Sequence, residues 1–387
     1  MKLAIFSIVL NQHQAPIADA LWEQTGHQFA FVELADLGDA KGGTEDYSSR
    51  AYLIRAWESP EAYAKAMELA RTANVCIFSC AESLPFEKER MRLGLLSFDM
   101  SERWLKHGWK NLASPRLLTW LMAYHLGGWR KKPLYKLCMS AFAAGDHYRL
   151  RTFKDKCYKW GYFTSVDIDL DANINVEAFE QEVSTEGKVH ILWCARFLYW
   201  KHPELAIKLI EKLAANGYNV QLDLIGNGPI REKMEVLATS IRTKLDARCS
   251  MNFLGVMPND EVIRQMRMHD IFLFTSDKNE GWGAVANEAM SNGCCLVASD
   301  AIGSVPYLVQ NKETGMMFKS CDLGSLYEQV TYLLDNPEER KRIAKAGQKS
   351  MQEVWSPQNA AKNLLQLIDD LQNGRECSIK QGPCSKA

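Results

Sequence analysis

The sequence lacks the features that mark several large classes of protein. It contains no run of about 20 apolar residues, which is the length that a helix needs to cross a bilayer. Its formal net charge is only −1, whereas proteins that mainly bind nucleic acid usually carry a clear basic excess. We therefore expect neither a transmembrane helix nor a nucleic-acid partner.

Cysteine motifs are also missing. The 11 cysteines include no CxxC pair, so the spacing does not indicate a zinc ribbon. Several cysteines lie in apolar runs, as Cys194 does in HILWCARF. Buried, reduced thiols are expected, which favours a reducing, cytoplasmic compartment. The N-terminal segment MKLAIFSIVL has no small-residue cleavage site, so we predict a buried first strand rather than a signal peptide.

What the sequence does contain is a regular alternation of apolar runs with helical patterns. This alternation predicts an α/β protein with parallel sheets, and the length of 387 residues fits two domains. Helices are predicted over residues 16–26, 60–72 and 203–216. Strands are predicted over residues 3–10, 29–34, 75–79, 188–194, 220–225, 250–254, 271–274, 295–299 and 316–318.

The pattern weakens between residues 161 and 186, where polar residues predominate, and this predicts a boundary between two domains. Ligands of parallel sheets bind at the carboxyl ends of the strands, so we expect the active site in a cleft between the domains. The predicted segments are an N-terminal domain (1–165), a linker (166–186), a C-terminal domain (187–355), a helix that packs back toward the N-terminal domain (356–372) and a disordered tail (373–387).

The sharpest motif is EGWGAVANEAM, which begins at Glu280, directly follows the predicted strand IFLFTS and starts a helix. Glycines at such a turn let backbone N–H groups approach an anion, and the helix adds its positive end. Glu288 is expected about two turns into this helix, roughly 12 Å from Glu280. The two carboxylates then suit the sugar and the ribose of a diphosphate-linked ligand. The alternative is an ordinary helix start with solvated glutamates.

Two weaker motifs precede it. Arg196 and Lys201 lie on a loop after a predicted strand, where two cations suit two phosphates, although an ordinary surface loop is the alternative. Gly226 and Gly228, followed by Pro229, form a turn after the next strand. By itself this turn indicates only a tight bend near a ligand edge.

The order and spacing of these motifs resemble those of the retaining glycosyltransferases of family 4, which have the GT-B fold. The resemblance is specific over residues 188–356 and weak before residue 160. It rests on Arg196, Lys201, Gly226, Gly228, Pro229, Phe253-Leu254-Gly255, Glu280, Glu288-Ala289-Met290 and Gly293. The chain departs from the family pattern at Ala195 and His202, where the family has glycine, and at Tyr307, where it often has an acidic residue. No family-type histidine follows the strand near Ser79.

The resemblance implies an α/β fold of two Rossmann-like domains that face each other across a cleft. It also implies transfer of a sugar from a nucleoside diphosphate to the hydroxyl of a saccharide or lipid-linked acceptor, in polysaccharide or glycolipid assembly. The implied catalytic residues are Arg196, Lys201 and Glu280. The implied donor-binding residues are Gly226, Gly228, Gly281, Trp282, Gly283, Ala284 and Glu288. Since positive groups can meet the developing charge, we expect no metal and no cofactor.

Other interpretations stay open. A nucleotide-sugar epimerase of the same architecture would need further acid–base carboxylates, and an inverting glycosyltransferase would lack the paired-glutamate pattern. An inactive sugar-nucleotide-binding subunit is opposed by the presence of Arg196, Lys201 and both glutamates. His13, in the loop after the first strand, is a candidate contact for the acceptor or a phosphate. The alternative for His13 is a loop histidine satisfied by its neighbours.

Residues 103–136 contain eight lysines and arginines and no acidic residue, and aromatic residues are interleaved with them. Basic groups favour an anionic membrane surface, and aromatic rings favour the headgroup layer. This pattern predicts peripheral contact with the inner face of the cytoplasmic membrane, which suits a lipid-linked acceptor. The alternative is that the aromatic side chains pack in the core while the charges are solvated.

Overall fold

A computed structural model describes residues 1–36, 46–164, 188–242 and 249–387. The chain divides into two compact units. The first comprises Met1–Ser165 together with Val354–Ala387, and the second comprises Val166–Glu353. The predicted linker, residues 166–186, lies outside the described residues.

The first unit is built on a seven-stranded parallel sheet with the strand order β3-β2-β1-β4-β5-β6-β7. The inner strand β1 is buried along its whole length, because its run of apolar residues is covered on both faces. The strands are β1 (Leu3–Ser7), β2 (Phe29–Glu33), β3 (Leu53–Arg55), β4 (Val75–Phe78), β5 (Ser97–Ser101), β6 (Leu134–Cys138) and β7 (Cys157–Lys159).

Helices connect these strands. The predicted helix over residues 60–72 has those bounds in the structure, since the Ser59 side chain caps it by accepting the N–H of Ala62 at 3.1 Å. The helices are α1 (Ala15–Gln24), α2 (Pro60–Thr72), α3 (Leu84–Leu93), α4 (Pro115–His125) and α5 (Ala143–Arg149).

The second unit has a six-stranded parallel sheet with the order β10-β9-β8-β11-β12-β13. The strand order reverses between β8 and β11, and ligands of open α/β sheets bind at such a reversal. The strands are β8 (Val189–Cys194), β9 (Val220–Ile225), β10 (Cys249–Gly255), β11 (Ile271–Phe274), β12 (Cys295–Ser299) and β13 (Met316–Phe318).

The helices of the second unit cover this sheet and bury an apolar core that includes Trp193, Leu209 and Leu222. They are α6 (Pro203–Ala215), α7 (Arg231–Arg242), α8 (Asn259–Arg267), α9 (Val285–Ser291), α10 (Val305–Leu308), α11 (Leu323–Asp335) and α12 (Pro337–Glu353). Two α/β units with parallel sheets are thus confirmed. In the described part of the chain, no helix is both long enough and apolar enough to span a membrane.

The last helix, α13 (Pro357–Gln372), belongs to the first unit and packs on α1. The prediction of a disordered tail over residues 373–387 is wrong. The N–H of Cys384 donates to the carbonyl oxygen of Lys159 at 2.7 Å, and the N–H of Lys159 donates to that of Ser385 at 2.8 Å. The tail is ordered because it adds its backbone to β7, a contact that its polar composition does not reveal.

Candidate active site

Lys201 lies in a short helical turn after β8, and residues after β11 hold this turn in place. The hydroxyl of Thr275 donates to the carbonyl oxygen of Lys201 at 2.6 Å, and the Trp193 indole N–H donates to the hydroxyl of Thr275 at 2.9 Å. The N–H of Asp277 donates to the carbonyl oxygen of Trp200 at 2.9 Å. Lys201 is therefore fixed at the point where the strand order reverses.

The structure brings Lys201 and Glu280 together. The ammonium group contacts Oε2 of Glu280, and the hydroxyl of Ser276 donates to the same oxygen at 2.9 Å. The side chains of Lys201 and Glu280 are only 13% and 10% exposed, so solvent screens the pair weakly. The Lys201 ammonium also lies 4.4 Å from the centroid of the Trp200 ring. The result is a preformed cation and carboxylate in one site.

Two glycines shape the neighbouring loop after β9. A Cβ atom on Gly226 would lie 2.0 Å from the carbonyl oxygen of Ala195, and one on Gly228 would lie 2.5 Å from that of Phe197. The N–H of Phe197 donates to the carbonyl oxygen of Asn227 at 2.9 Å, which ties the two loops together. Glycine is required at both positions because the loop after β9 packs directly on the backbone of the loop after β8.

Arg196 is exposed in the loop that follows β8. Its guanidinium makes no hydrogen bond or ion pair with a described residue, and the structure does not bring it into contact with Lys201 or Glu280. It is therefore a free cation on the same loop, available to an anionic ligand.

The loop between Glu280 and α9 contains a third constrained glycine. Gly283 has a φ of +78°, and a Cβ there would lie 2.4 Å from Cζ of Phe274. Trp282 is fully buried, and its indole N–H donates to Oδ1 of Asn287 at 2.8 Å. The indole of Trp282 therefore packs in the core, which leaves its backbone as the part that can serve a ligand.

Backbone donors are available in this loop. The N–H groups of Gly283 and Ala284 donate to no residue in the described ranges, so they can donate to an anion.

Glu288 is closer to the start of its helix than predicted. The helix α9 begins at Val285, so Glu288 lies in its first turn and the expected spacing of two helical turns is wrong. The reason is that residues 281–284 form a loop around the positive φ of Gly283. Burial raises the pKa of Glu288 to about 7. Near neutral pH this carboxyl can therefore both donate and accept hydrogen bonds.

His13 lies in the first unit, in the loop after β1. It is half-buried, and burial lowers its pKa, which favours the neutral ring. The ring centroid is 5.7 Å from that of Tyr162. Tyr162, Asn11 and Gln14 line a cavity of about 290 Å³ at the carboxyl end of this sheet. His13 thus neighbours a cavity of its own unit, where a ligand contact stays a prediction.

The departure from the family pattern at His202 is accommodated by the backbone. His202 adopts a φ of +50°, a left-handed conformation that glycine adopts easily. Its Nδ1 lies 2.7 Å from a carboxylate oxygen of Glu204, and its Nε2 lies 3.4 Å from one of Asp277. Hydrogen bonding to Glu204 raises the pKa of His202.

Sequence reasoning missed Thr275 and Ser276, which position Lys201 and Glu280. The available signal was the polar pair that closes the otherwise apolar strand segment IFLFTS. Only a short loop separates Ser276 from Glu280, so the hydroxyl groups of Thr275 and Ser276 lie close to Lys201 and Glu280.

A known protein family matches much of the second unit. Residues 175–350 match the model of the family described as "Glycosyl transferases group 1". The resemblance to glycosyltransferases is confirmed at this level, while family 4 and retention stay predictions. The chain is 24% identical over 237 residues to a GDP-mannose-dependent monoacylated alpha-(1-6)-phosphatidylinositol monomannoside mannosyltransferase of Corynebacterium glutamicum, covering 58% of this chain and 60% of that protein.

A second relative, alpha-D-kanosaminyltransferase of Streptomyces kanamyceticus, is 24% identical over 219 residues, which cover 56% of this chain and 53% of that protein. The chain thus spans about half the length of the curated relatives it matches.

Solved structures agree in fold. The crystal structure of Anabaena Alr3699/HepE in complex with UDP has a TM-score of 0.69 at 13% identity, covering 96% of this chain and all (100%) of that one. Sucrose-phosphate synthase from Thermosynechococcus elongatus has a TM-score of 0.66 at 16% identity, covering 97% and 100% of the two chains. At these identities the likeness shows the fold alone, which is that of GT-B glycosyltransferases.

Proposed function

We propose that this chain, whose residues 175–350 match the group 1 glycosyl transferases, transfers a sugar from a nucleoside diphosphate to an acceptor hydroxyl with retention of the anomeric configuration. The observation that carries the proposal is the Lys201–Glu280 pair, held by Thr275 and Ser276 at the reversal of strand order. The glycine-shaped loops beside it belong to the same unit.

In this proposal the positive groups of the second unit stabilise the leaving diphosphate. Negative charge grows on the diphosphate as the glycosidic bond breaks, and preorganised donors stabilise such charge by roughly 3–4 kcal/mol each. Lys201, Arg196 and the N–H groups of Gly283 and Ala284 supply these donors. The Gly226 and Gly228 loop packs on the backbone of the loop that carries Arg196 and Lys201, and so supports these cations.

The two glutamates would hold the hydroxyl groups at either end of the donor. Glu280 holds its carboxyl group beside Lys201, and a carboxylate accepts hydrogen bonds from sugar hydroxyls. Glu288, whose pKa is raised to about 7, both donates and accepts, which suits the ribose. The names of two similar proteins include GDP-mannose and UDP, which supports a nucleoside-diphosphate donor. The proposed acceptor is a saccharide or a lipid-linked molecule, and the proposed role is polysaccharide or glycolipid assembly.

A panel of UDP-, GDP- and ADP-sugars tests the proposal through thermal stability and donor hydrolysis. A donor at 100 times its dissociation constant should add about 2.7 kcal/mol to the free energy of unfolding. We expect one member of the panel both to stabilise the protein and to be hydrolysed slowly. Binding without hydrolysis would favour the inactive subunit, and conversion to an epimeric sugar nucleotide would favour the epimerase. A panel in which no donor binds contradicts the proposal.

We expect activity to survive removal of divalent metal. Lys201, Arg196 and the open N–H groups supply the positive charge that a metal ion would otherwise provide to the leaving diphosphate. Hydrolysis of the preferred donor should keep at least half its rate after treatment with EDTA. Loss of the rate with EDTA and its recovery with manganese would show a different mechanism.

We further propose that α4 contacts a membrane surface. The aromatic residues Trp120 and Tyr124 are buried in a core cluster, so part of the basic, aromatic segment packs as an ordinary core. On another face, Leu118 and Met122 of α4 and Leu126, which caps its C-terminus, are 45%, 60% and 81% exposed. Residues four apart lie on one face of a helix, so these three side chains form an apolar stripe.

The charge around this stripe supports an anionic membrane. Of the eight basic residues of 103–136, Lys136 is buried on Asp99 and Arg103 pairs with Asp146. Basic groups near an anionic surface contribute about 1 kcal/mol each, and the exposed ones here are Lys110, Arg116, Arg130 and Lys131. The exposed apolar side chains would enter the interface while the basic groups meet the lipid headgroups.

Vesicle co-sedimentation tests the membrane proposal. We expect binding to vesicles with anionic lipid but not to neutral vesicles, and at least fivefold weaker binding for Met122→Asp and for charge reversal at Arg130. Leu93→Asp, which changes an exposed leucine on α3, serves as the control and should bind as the wild type does. Equal absence of binding to both kinds of vesicle would refute the membrane contact.

A further inference from the structure

The first unit contains a cavity of about 660 Å³ between α3 and α4. The carboxyl end of β5 and the following residues contribute Asp99 and Trp104, while the two helices contribute Glu87, Leu117 and Trp120. None of these residues belongs to the loops of the second unit that form the candidate donor site.

Three carboxyl groups line this cavity, and two of them have a cationic partner. Glu82 lies 3.6 Å from Arg116, and Asp99 contacts Lys136. Lys136 is fully buried, and its ammonium contacts Oδ1 of Asp99 and donates to the hydroxyl of Ser101 at 2.6 Å. The same ammonium lies 4.7 Å from the centroid of the Trp104 ring. The pairing of Lys136 with Asp99 leaves Glu87 as the excess acidic group.

Glu87 is only 2% exposed, and its hydrogen-bonding capacity is largely unused. Among the described residues its carboxyl receives the indole N–H of Trp120, which lies 3.3 Å from each of its two oxygens. A carboxylate has about four lone-pair sites, and a buried polar group without partners is costly. Burial, and then the charge of Asp99, raise the pKa of Glu87 well above its ordinary value. The neutral carboxyl can donate one hydrogen bond and accept others.

One part of the cavity wall is aromatic and apolar, while Asn111, Ser114 and Arg116 add polar groups elsewhere. The rings of Trp104 and Trp120 meet edge to face with their centroids 4.6 Å apart, and Leu117 adds an aliphatic surface. Small-molecule sites typically combine such walls with a few well-placed polar groups. The C–H face of a pyranose ring can pack on the aromatic rings, and its hydroxyl groups can form hydrogen bonds with the carboxyl groups of Glu87 and Asp99.

We propose that this cavity binds a neutral saccharide ring, with its hydroxyls on Glu87 and Asp99 and its C–H face on Trp104 and Trp120. The identification of that saccharide as the glycosyl acceptor rests on the proposed function, whereas the binding site itself does not. An ammonium ligand fits less well, because it would need a charged carboxylate at a position where the neutral form is favoured.

Saturation-transfer NMR with methyl glycosides tests the proposal without any donor. The probes are methyl α-glucoside, methyl α-mannoside and methyl α-galactoside, with tetramethylammonium as the cationic comparison. We expect at least one glycoside to show saturation transfer with the wild-type protein. The signal should fall at least fivefold in Glu87→Leu, which removes the polar atoms at similar volume, and in Leu117→Trp, which fills the cavity. Glu68→Gln, on the exposed side of α2, should retain the full signal.

Three outcomes would overturn the proposal. The first is that no glycoside gives a signal with the wild-type protein. The second is that both cavity variants give the same signal as the wild type, and the third is that tetramethylammonium alone gives a signal. A signal lost in Glu280→Gln but kept in the cavity variants would place the glycoside at the donor site and would also refute the cavity assignment. Failure of donor hydrolysis in the wild type would count against the proposed function alone, since the glycoside measurement uses no donor.

Discussion

Lys201→Ala and Glu280→Gln are each expected to lower turnover at least tenfold while the protein stays folded. Lys201 would lose its charge opposite the leaving diphosphate, where one preorganised donor is worth roughly 3–4 kcal/mol. Glu280→Gln would remove the carboxylate that orients both Lys201 and the sugar hydroxyls. Turnover of the preferred donor and thermal unfolding should be measured on the same preparations. Lys208→Ala, an exposed lysine on α6, is the matched control and should keep its turnover.

A double variant separates catalysis from stability. Removing one member of a buried ion pair leaves the other uncompensated, which lowers the free energy of unfolding. Lys201→Ala leaves Glu280 with the hydroxyl of Ser276, and Glu280→Gln leaves Lys201 with the Trp200 ring. The double variant should recover thermal stability but not turnover. Wild-type turnover in either folded single variant would contradict the assignment of the site.

Much of the second unit could be predicted from the sequence because its strands are short apolar runs between helices. The bounds predicted for β9, β11, β12 and β13 are those of the structure. In the first unit, β5 and β6 escaped prediction because each carries a charged residue within the strand. Asp99 and Lys136 lie there because each neutralises the other in the folded protein. Apolar periodicity cannot show such a tertiary pairing.

The candidate site shows the same limit. Motif spacing predicted that Lys201 and Glu280 share a site, and the structure places them in contact. The spacing also placed Glu288 two helical turns from the motif start, whereas the helix begins only at Val285. The helix begins later than predicted because Gly283 adopts a left-handed backbone conformation, which a residue pattern does not specify. The ion pair was predictable from residue types, while the loop geometry was not.

Gly283→Ala is expected to damage both the fold and the site. A left-handed φ costs a residue with a side chain about 1–2 kcal/mol, and overpacking adds about 1–3 kcal/mol. At Gly283 the new Cβ would lie 2.4 Å from Cζ of Phe274 and 3.2 Å from Cγ of Glu280. Relief of these clashes would move Glu280 away from Lys201. We expect the free energy of unfolding to fall by about 2–5 kcal/mol and turnover to fall at least tenfold.

Gly293→Ala provides the matched control for this prediction. Gly293 has a φ of +83°, close to that of Gly283, but a Cβ there would meet only the flexible end of the Gln348 side chain, at 3.9 Å. The two variants therefore share the backbone strain and differ in the steric clash. Thermal unfolding should show a smaller loss of stability for Gly293→Ala, with turnover near that of the wild type. Equal losses of turnover in the two variants would mean that strain alone accounts for the effect and that Gly283 has no special part in positioning Glu280.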